Sequence, residues 1–320
     1  MHLRTHLDAA RIFAGRLPHG QARGQQPDCV VARPSGRPHL QIAPTGLRAY
    51  LTLAGRLGYV PRYRNPRTFN EKVVWLLRNT VDERRAQLAD KLGVKAYVAR
   101  VAPEARTADV LTVASRGEDL DTHDLPDVCV LKANNGYARN LVLRAPHDRD
   151  AIVQQANAWL AQDPCEGLFP WESHYRSIPP RVFIEEFLSE DGNASLTDYK
   201  VFVLHGTPAL VRVMGDRTQN RFSRGVFSVD WQRLDAFREP LPWQDAHASV
   251  AMADIPKPPL LPQLLQVSEK LAAGMPFVSV DAYLIHGAVY VGELTFSPAG
   301  GAVPFPYAFD VALGRQLKVG

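Results

Sequence analysis

Cysteine is scarce in this chain: Cys29, Cys129 and Cys165 are the only three in 320 residues, with no CxxC pair and no metal-type spacing. An odd, scattered set excludes a disulfide framework and a thiolate metal centre, and reads as the reduced thiols of a cytosolic protein. No run approaches the roughly 18 apolar residues that cross a bilayer. There is no GxSxG elbow and no Walker A sequence, and the ten histidines are dispersed, so no Ser-His-Asp or Cys-His centre can be built from motifs. Lysine is absent from residues 1–67, which carry eleven arginines and two acids, Asp8 and Asp28, for +9; the remainder has 26 bases and 31 acids, for −5. The formal charge of +4 therefore belongs to a segment, and no nucleic-acid partner is expected.

A hydrophobic content of 46% with 22% charged residues is that of a soluble globular chain, long enough for one large domain or two to three lobes. Residues 1–44 are rich in Arg, Gln, Pro and Gly and lack the continuous apolar h-region of a secretory signal. They read as a poorly ordered extension, and their charge suggests weak contact with anionic lipid at the inner face of the membrane. The protein is accordingly expected in the cytoplasm. A mostly helical region is expected over 45–125 and the main α+β body over 126–320.

Thr68 followed by Glu71 forms a capping box for a helix after Asn65-Pro66-Arg67. A single amphipathic helix is expected over residues 82–100, then strands near 127–133 and 140–144, a helix near 148–160, strands near 182–187, 199–205 and 209–214, and a helix near 260–273. The last expected pair of strands, Phe277–Ile285 and Ala288–Thr295, meets at a His286-Gly287 turn. Strand pairs interrupted by helices without βαβ alternation imply antiparallel sheets.

Candidate chemistry gathers on these strands. Pairing the last two runs brings Asp281 and Glu293 together at one end of an apolar hairpin. Oxygen ligands without His or Cys suggest Mg²⁺, which held by one or two carboxylates completes its shell with nucleotide phosphates. Lys132 ends an apolar strand and is followed by the small polar loop Ala133-Asn134-Asn135-Gly136, a lysine and backbone donors suited to phosphate, or else an ordinary strand-end lysine and turn. Glu185 and Glu186 interrupt another apolar strand, as a nucleotide hinge or as solvated acids at a sheet edge. Asp198 and Lys200 share one strand face, and Arg212, Asp216 and Arg217 follow, as phosphate contacts or as surface pairs.

Taken in order over about residues 47–317, these segments resemble the ATP-grasp superfamily, in its teichuronopeptide-biosynthesis (TupA-like) branch. The likeness rests on Asn65-Pro-Arg-Thr-Phe-Asn-Glu-Lys72, Asp90-Lys91 with Lys95, Val130-Leu-Lys132-Ala-Asn-Asn-Gly136, Glu185-Glu186, Asp198-Tyr-Lys200, Asp216-Arg217, Asp281-Ala-Tyr283 and Gly292-Glu-Leu-Thr-Phe296. It implies two α+β lobes whose antiparallel sheets clasp ATP. Lys95, Lys132, Asn135, Gly136 and Asp198 are then expected at the nucleotide, with Glu185, Glu186, Phe187 and Leu188 as its hinge. Asp281, Glu293 and Thr295 would hold Mg²⁺, and Lys200, Arg212 and Arg217 would act on the reacting groups.

The resemblance further implies an ADP-forming carboxylate–amine ligase in bacterial surface polysaccharide or glycopeptide assembly, acting on a small-molecule or glycan acceptor beside other assembly enzymes. The chain departs from that pattern at three places. Its lid reads Asn-Asn-Gly-Tyr-Ala-Arg, Thr295 stands where the ligases often place a metal-binding Asn, though threonine is familiar in this branch, and Ser279 stands where they usually have an arginine. An ATP-grasp kinase and a non-catalytic nucleotide-binding scaffold are the alternatives.

Overall fold

The computed structural model describes residues 45–80, 82–190, 196–218, 221–234, 236, 249–252 and 255–320, so the basic extension lies outside the described residues. The smaller of two sheets comprises β1 (Val110–Ala114), β2 (Val128–Ala133), β3 (Asn140–Arg144) and β4 (Val182–Glu186), ordered β1-β4-β2-β3 and antiparallel throughout. The larger comprises β5 (Asp198–Leu204), β6 (Thr207–Thr218), β7 (Arg221–Phe227), β8 (Ser249–Met252), β9 (Phe277–Ile285) and β10 (Ala288–Thr295). Its order is β10-β9-β5-β6-β7-β8, antiparallel except for the β7–β8 pair at one edge. The fold is thus α+β, with β1 from the 45–125 stretch forming an edge of the same sheet as β2 and β3.

The helices are α1 (Thr45–Leu57), α2 (Phe69–Asn79), α3 (Arg84–Ala89), α4 (Gly93–Val101), α5 (Arg149–Ala161), α6 (Leu261–Leu271) and α7 (Tyr307–Gln316). The capping box at α2 forms: Thr68 Oγ1 accepts from Glu71 N at 3.1 Å, and Glu71 Oε2 accepts from Thr68 N at 3.0 Å. The single helix expected over 82–100 is two helices, α3 and α4. Asp90 Oδ1 accepts from Leu92 N at 2.9 Å and turns the chain, while Gly93 packs where a Cβ would lie 2.5 Å from the Gln87 carbonyl.

The main core lies on both faces of the larger sheet. On the inner face Phe69 of α2 stacks on Phe202 at 5.4 Å and meets Phe277 edge-on at 4.9 Å. On the other, Leu264, Val267 and Leu271 of α6 are fully buried with Val278 and Val280. A separate core sits under the smaller sheet, where Cys129, Leu131 and Ile184 pack with Ile152 and Ala156 of α5. Each large aliphatic side chain so buried contributes about 1.5–3 kcal/mol.

The last helix closes on the first part of the chain. Gly314 of α7 lies where a Cβ would stand 2.3 Å from the Arg67 carbonyl, so no other residue fits there. Lys72 Nζ donates to the carbonyls of Gly314 and Leu317, each at 2.8 Å. Asp310 is fully buried, and it accepts from Tyr59 Oη at 2.8 Å, Asn70 N at 3.0 Å and Asn70 Nδ2 at 2.8 Å. This network fixes α7 to the start of α2.

Candidate nucleotide site

A cleft of about 210 Å³ opens between the sheets, lined by Val130 and Lys132 of β2, Asn140 and Val142 of β3, Glu185 to Leu188, Leu196 and Tyr283. Strand alternation places Val130, Lys132, Val142 and Glu185 on one face of the smaller sheet, away from the core under α5. This explains why Val142 remains 43% exposed in a strand that is otherwise part of a packed sheet. Buried Glu185 is shared between two ammonium groups, Lys132 on the neighbouring strand and Lys95 of α4, the latter at 2.8 Å. Lys95 Nζ also donates to the Ala108 carbonyl at 2.6 Å. Glu186 turns to Asp109, its Oε1 accepting from that residue's N at 2.9 Å. Beyond it β4 ends, and half-buried Phe187 and Leu188 continue along the wall of the cleft.

Facing this wall is the β9–β10 hairpin. Val291 pairs with Ala282, but Glu293 pairs with Asp281, so one residue, Gly292, bulges out of β10. In regular pairing Glu293 would share the face of Val291, against α6. The bulge turns it onto the inner face beside Asp281. Thr295, opposite Ser279, follows on that same face.

Lys200 of β5 pairs in register with Asp281, and its ammonium bridges Asp281 and Asp198, the latter at 3.0 Å. Burial works against its charge, but Asp281 and then Asp198 hold its pKa above the usual lysine range. Burial raises Asp281 to about 7, against the pull of Lys200 and with the push of Asp198 and Glu293. Glu293 moves the other way: Lys91 first, then Lys200, outweigh its burial, with a hydrogen bond from Asp281 adding to them. Two adjoining acids of this kind titrate as a unit that shares a proton.

Among the described residues, no group of three or more His, Cys, Asp or Glu is gathered as a metal site. A two-carboxylate oxygen set fits Mg²⁺ that completes its shell with phosphate and water, and does not fit Zn²⁺. Asp281, Glu293 and Thr295 are the residues that would hold it.

Lys91 was not among the residues expected at the site. It is half-buried and its Nζ donates to the Gly136 carbonyl at 2.8 Å. Burial pushes its pKa down, while Glu293 pulls it up and Lys132 pushes it down further. It thus stands between the two walls, in electrostatic reach of both. The turn at Asp90 places it there: it brings Lys91 out of the helical stripe, and Asp90 Oδ1 also accepts from Asn134 Nδ2 at 3.0 Å.

The loop after β2 is held from below. Asn135 is buried and its Oδ1 accepts from Arg139 Nη1 at 3.3 Å, so its side chain faces inward. Gly136 has φ of +73° and lies against the Pro164 carbonyl, where an added Cβ would stand at 3.0 Å, so any side chain there would be strained. Tyr137 at the tip is 58% exposed.

Arg212 of β6 pairs with Lys200 in register, and its guanidinium sits 5.6 Å above the Phe202 ring. Phe202 is itself the register partner of Ser279, whose Oγ donates to Asp281 Oδ1 at 2.6 Å. Arg217 lies in β6, and its side chain is outside the described residues. Lys132, Lys95 and Glu185 are therefore brought together on one wall and Asp198, Lys200, Asp281, Glu293 and Arg212 on the other.

Two facing sheets, one bearing the lysines and the other an acidic hairpin, make up the ATP-grasp architecture. The chain belongs to the TupA-like ATPgrasp family, whose model matches residues 71–318. No match is found among curated proteins. Among solved structures it is similar to D-alanine–D-alanine ligase from Bacillus anthracis, with 14% identity over 71% of this chain and 62% of that one, at a TM-score of 0.42. It is similar also to the ATP-grasp ligase PsnB complexed with a minimal precursor, with 14% identity over 85% and 69% of the chains, at a TM-score of 0.40. A RimK domain ATP-grasp protein from Sphaerobacter thermophilus gives 13% identity over 77% and 69%, at a TM-score of 0.37. The chain thus spans about three fifths of the ligase first named.

Proposed function

We propose that the protein is an ATP-dependent carboxylate–amine ligase of bacterial surface polysaccharide or glycopeptide assembly, with release of ADP and phosphate. The observation that carries this reading is the Asp281–Glu293 pair standing within electrostatic reach of Lys91 and Lys132, beside a cleft lined by Lys132, Glu185 and Tyr283. The nucleotide base would lie on Val130, Val142 and Tyr283, with Phe187 and Leu188 at its edge. Lys132 and Lys91 would meet the phosphates, on the side of the cleft where Glu293 stands. When bound, Mg²⁺ would neutralise phosphate charge and align the terminal phosphoryl group.

A substrate carboxylate attacks the γ-phosphorus and ADP leaves, giving an acyl phosphate. An amine then attacks the acyl carbon and phosphate departs. Lys200 and Arg212 supply positive charge on the large-sheet side of both steps, preorganised by Asp198 and by the Phe202 ring. Arg212 brings that charge from the neighbouring strand, over the register partner of Ser279.

The test is ADP release measured against a matrix of acids and amines, with Lys132→Ala and Glu293→Gln as controls. Release that requires both an acid and an amine, and is lost in both variants, is the expected outcome. Ser279, committed to Asp281, favours a second reading in which the reaction stops at phosphoryl transfer. Amine-independent ADP release with a phosphorylated acceptor would establish that one. If both variants retain full biological output, a scaffold role replaces either enzyme.

A further inference from the structure

A second cavity, of about 360 Å³, lies at the far end of β9 from Tyr283 and is larger than the nucleotide cleft. Its floor is apolar: Leu76 from α2, then Met275, Pro276 and Phe277 leading into β9. Phe296, the residue after Thr295, forms part of its wall, so the cavity adjoins the metal end of the hairpin.

The rim is cationic and incompletely paired. Arg84 is engaged by Asp82 at 3.2 Å. Arg85 is half-buried, with its guanidinium 6.0 Å from the Phe296 ring. Among the described residues its hydrogen bonds go only to Thr80, to the carbonyl at 3.4 Å and to Oγ1 at 3.0 Å. A guanidinium has five N–H donors, so most of them are unspent. His174, outside the cavity lining, has both ring nitrogens buried without a partner among the described residues, its ring 6.3 Å from that of Phe296. Burial and then the Arg85 charge lower its pKa to about 4, which keeps it from adding a second charge beside Arg85.

Unspent donors around an apolar floor are the complement of an amphipathic anion. One half-buried guanidinium with Asp82 nearby suits a single negative charge better than a phosphate dianion. We propose that this cavity is the subsite for the acid substrate: an organic acid whose carboxylate is held by Arg85 and whose hydrocarbon body lies on Leu76, Met275, Pro276 and Phe277. Naming the ligand a substrate rests on the ligase reading; the binding itself does not.

The experiment titrates the full chain, without nucleotide, with 3-phenylpropionate, 3-phenylpropanol and inorganic phosphate by calorimetry or ligand NMR. The acid is expected to bind in preference to the alcohol and to phosphate. Arg85→Gln should weaken it at least roughly tenfold and Arg85→Lys a few-fold, because the ammonium keeps the charge but loses the fork. Asp82→Asn should tighten it about two- to threefold by removing the opposing charge. An unchanged thermal shift with Mg-ATP verifies that each variant is folded. Equal binding of acid and alcohol, no loss in Arg85→Gln, or no acid binding up to about 10 mM would overturn the subsite. If instead 3-phenylpropionate binds as expected and Mg-ATP produces no response, the subsite stands and the ligase reading falls.

Discussion

Lys200 is the residue on which the acidic wall depends. Its ammonium serves Asp198 and Asp281 while Glu293 stands close by. Lys200→Met leaves these acids without their central cation, and the expected cost is about 3–5 kcal/mol in urea unfolding. Adding Asp281→Asn to that variant should recover part of the loss, since one of the stranded charges goes with it. A double variant no more stable than Lys200→Met would show that the three groups are not coupled. Lys132→Ala should behave differently: Glu185 retains Lys95 at 2.8 Å, so stability changes by no more than about 1 kcal/mol while the response to Mg-ATP is lost. At this scale the sequence was informative wherever a charge interrupted an apolar strand, as at Lys132, Glu185, Lys200, Asp281 and Glu293. It was silent on Lys91, because a lysine in a helical stretch looks like a solvated face until the turn at Asp90 is known. The inward side chain of Asn135 was equally invisible, since its partner Arg139 lies across a loop.

Among the elements, β10 shows how one extra residue lets two phases of a strand coexist. Deleting Gly292 would leave Val291 opposite Ala282 and Glu293 opposite Asp281 in regular pairing, with Glu293 still on the inner face. The expected result is a folded protein, by circular dichroism, that keeps Mg²⁺-dependent nucleotide binding, and loss of that binding would show that the bulge itself shapes the site. Gly292→Ala should be tolerated, because an added Cβ meets Tyr283 at 3.5 Å and the Asp281 carbonyl at 3.6 Å, ordinary contact distances.

The α2–α7 junction carries a pH dependence of unusual sign. Burial raises Asp310 to about 6, against its hydrogen bonds from Asn70 and Tyr59. An acid whose folded pKa is raised holds its proton longer when folded, so its contribution is full below the unfolded pKa and is lost as pH rises to about 6. Relative to Asp310→Asn, the wild-type protein should lose on the order of 2–3 kcal/mol between pH 4 and pH 7. Urea titrations of both proteins at the two pH values measure this, and a difference that does not change with pH would contradict it. The helix α7 itself escaped sequence reading because its buried face includes Asp310 and Gly314, which break the apolar stripe. The edge strand β1 escaped because Leu111 and Val113 are exposed at 43% and 42%, and a five-residue run carries little signal.

Over the whole molecule, the two sheets together supply the walls of the proposed nucleotide site. A ligand that binds both walls of the folded form should stabilise the two together. At about 100 times its dissociation constant, Mg-ATP would add roughly 2.7 kcal/mol and raise the thermal midpoint by roughly 5 °C in a single transition. Two separated transitions, only one of them shifted, would mean that the walls bind independently. The pairing of strands was legible from alternation and turns, whereas the way the sheets face each other was not, because it depends on contacts between residues far apart in the chain.

The Asp310–Asn70 contact spans 240 positions, and this bears on how the protein is made at the ribosome. The start of α2 emerges first, yet the helix that covers it, with its Gly314 seat and its Lys72 latch, follows only after that separation has been synthesised. Until α7 emerges the Phe69 face therefore has no lid, and the nascent chain relies on its large sheet or on chaperones to shield it. Stalled or nonsense-truncated products lacking residues 307–320 would expose that surface permanently. Such fragments should be cleared by proteolysis or aggregate, and would not accumulate as partly active protein.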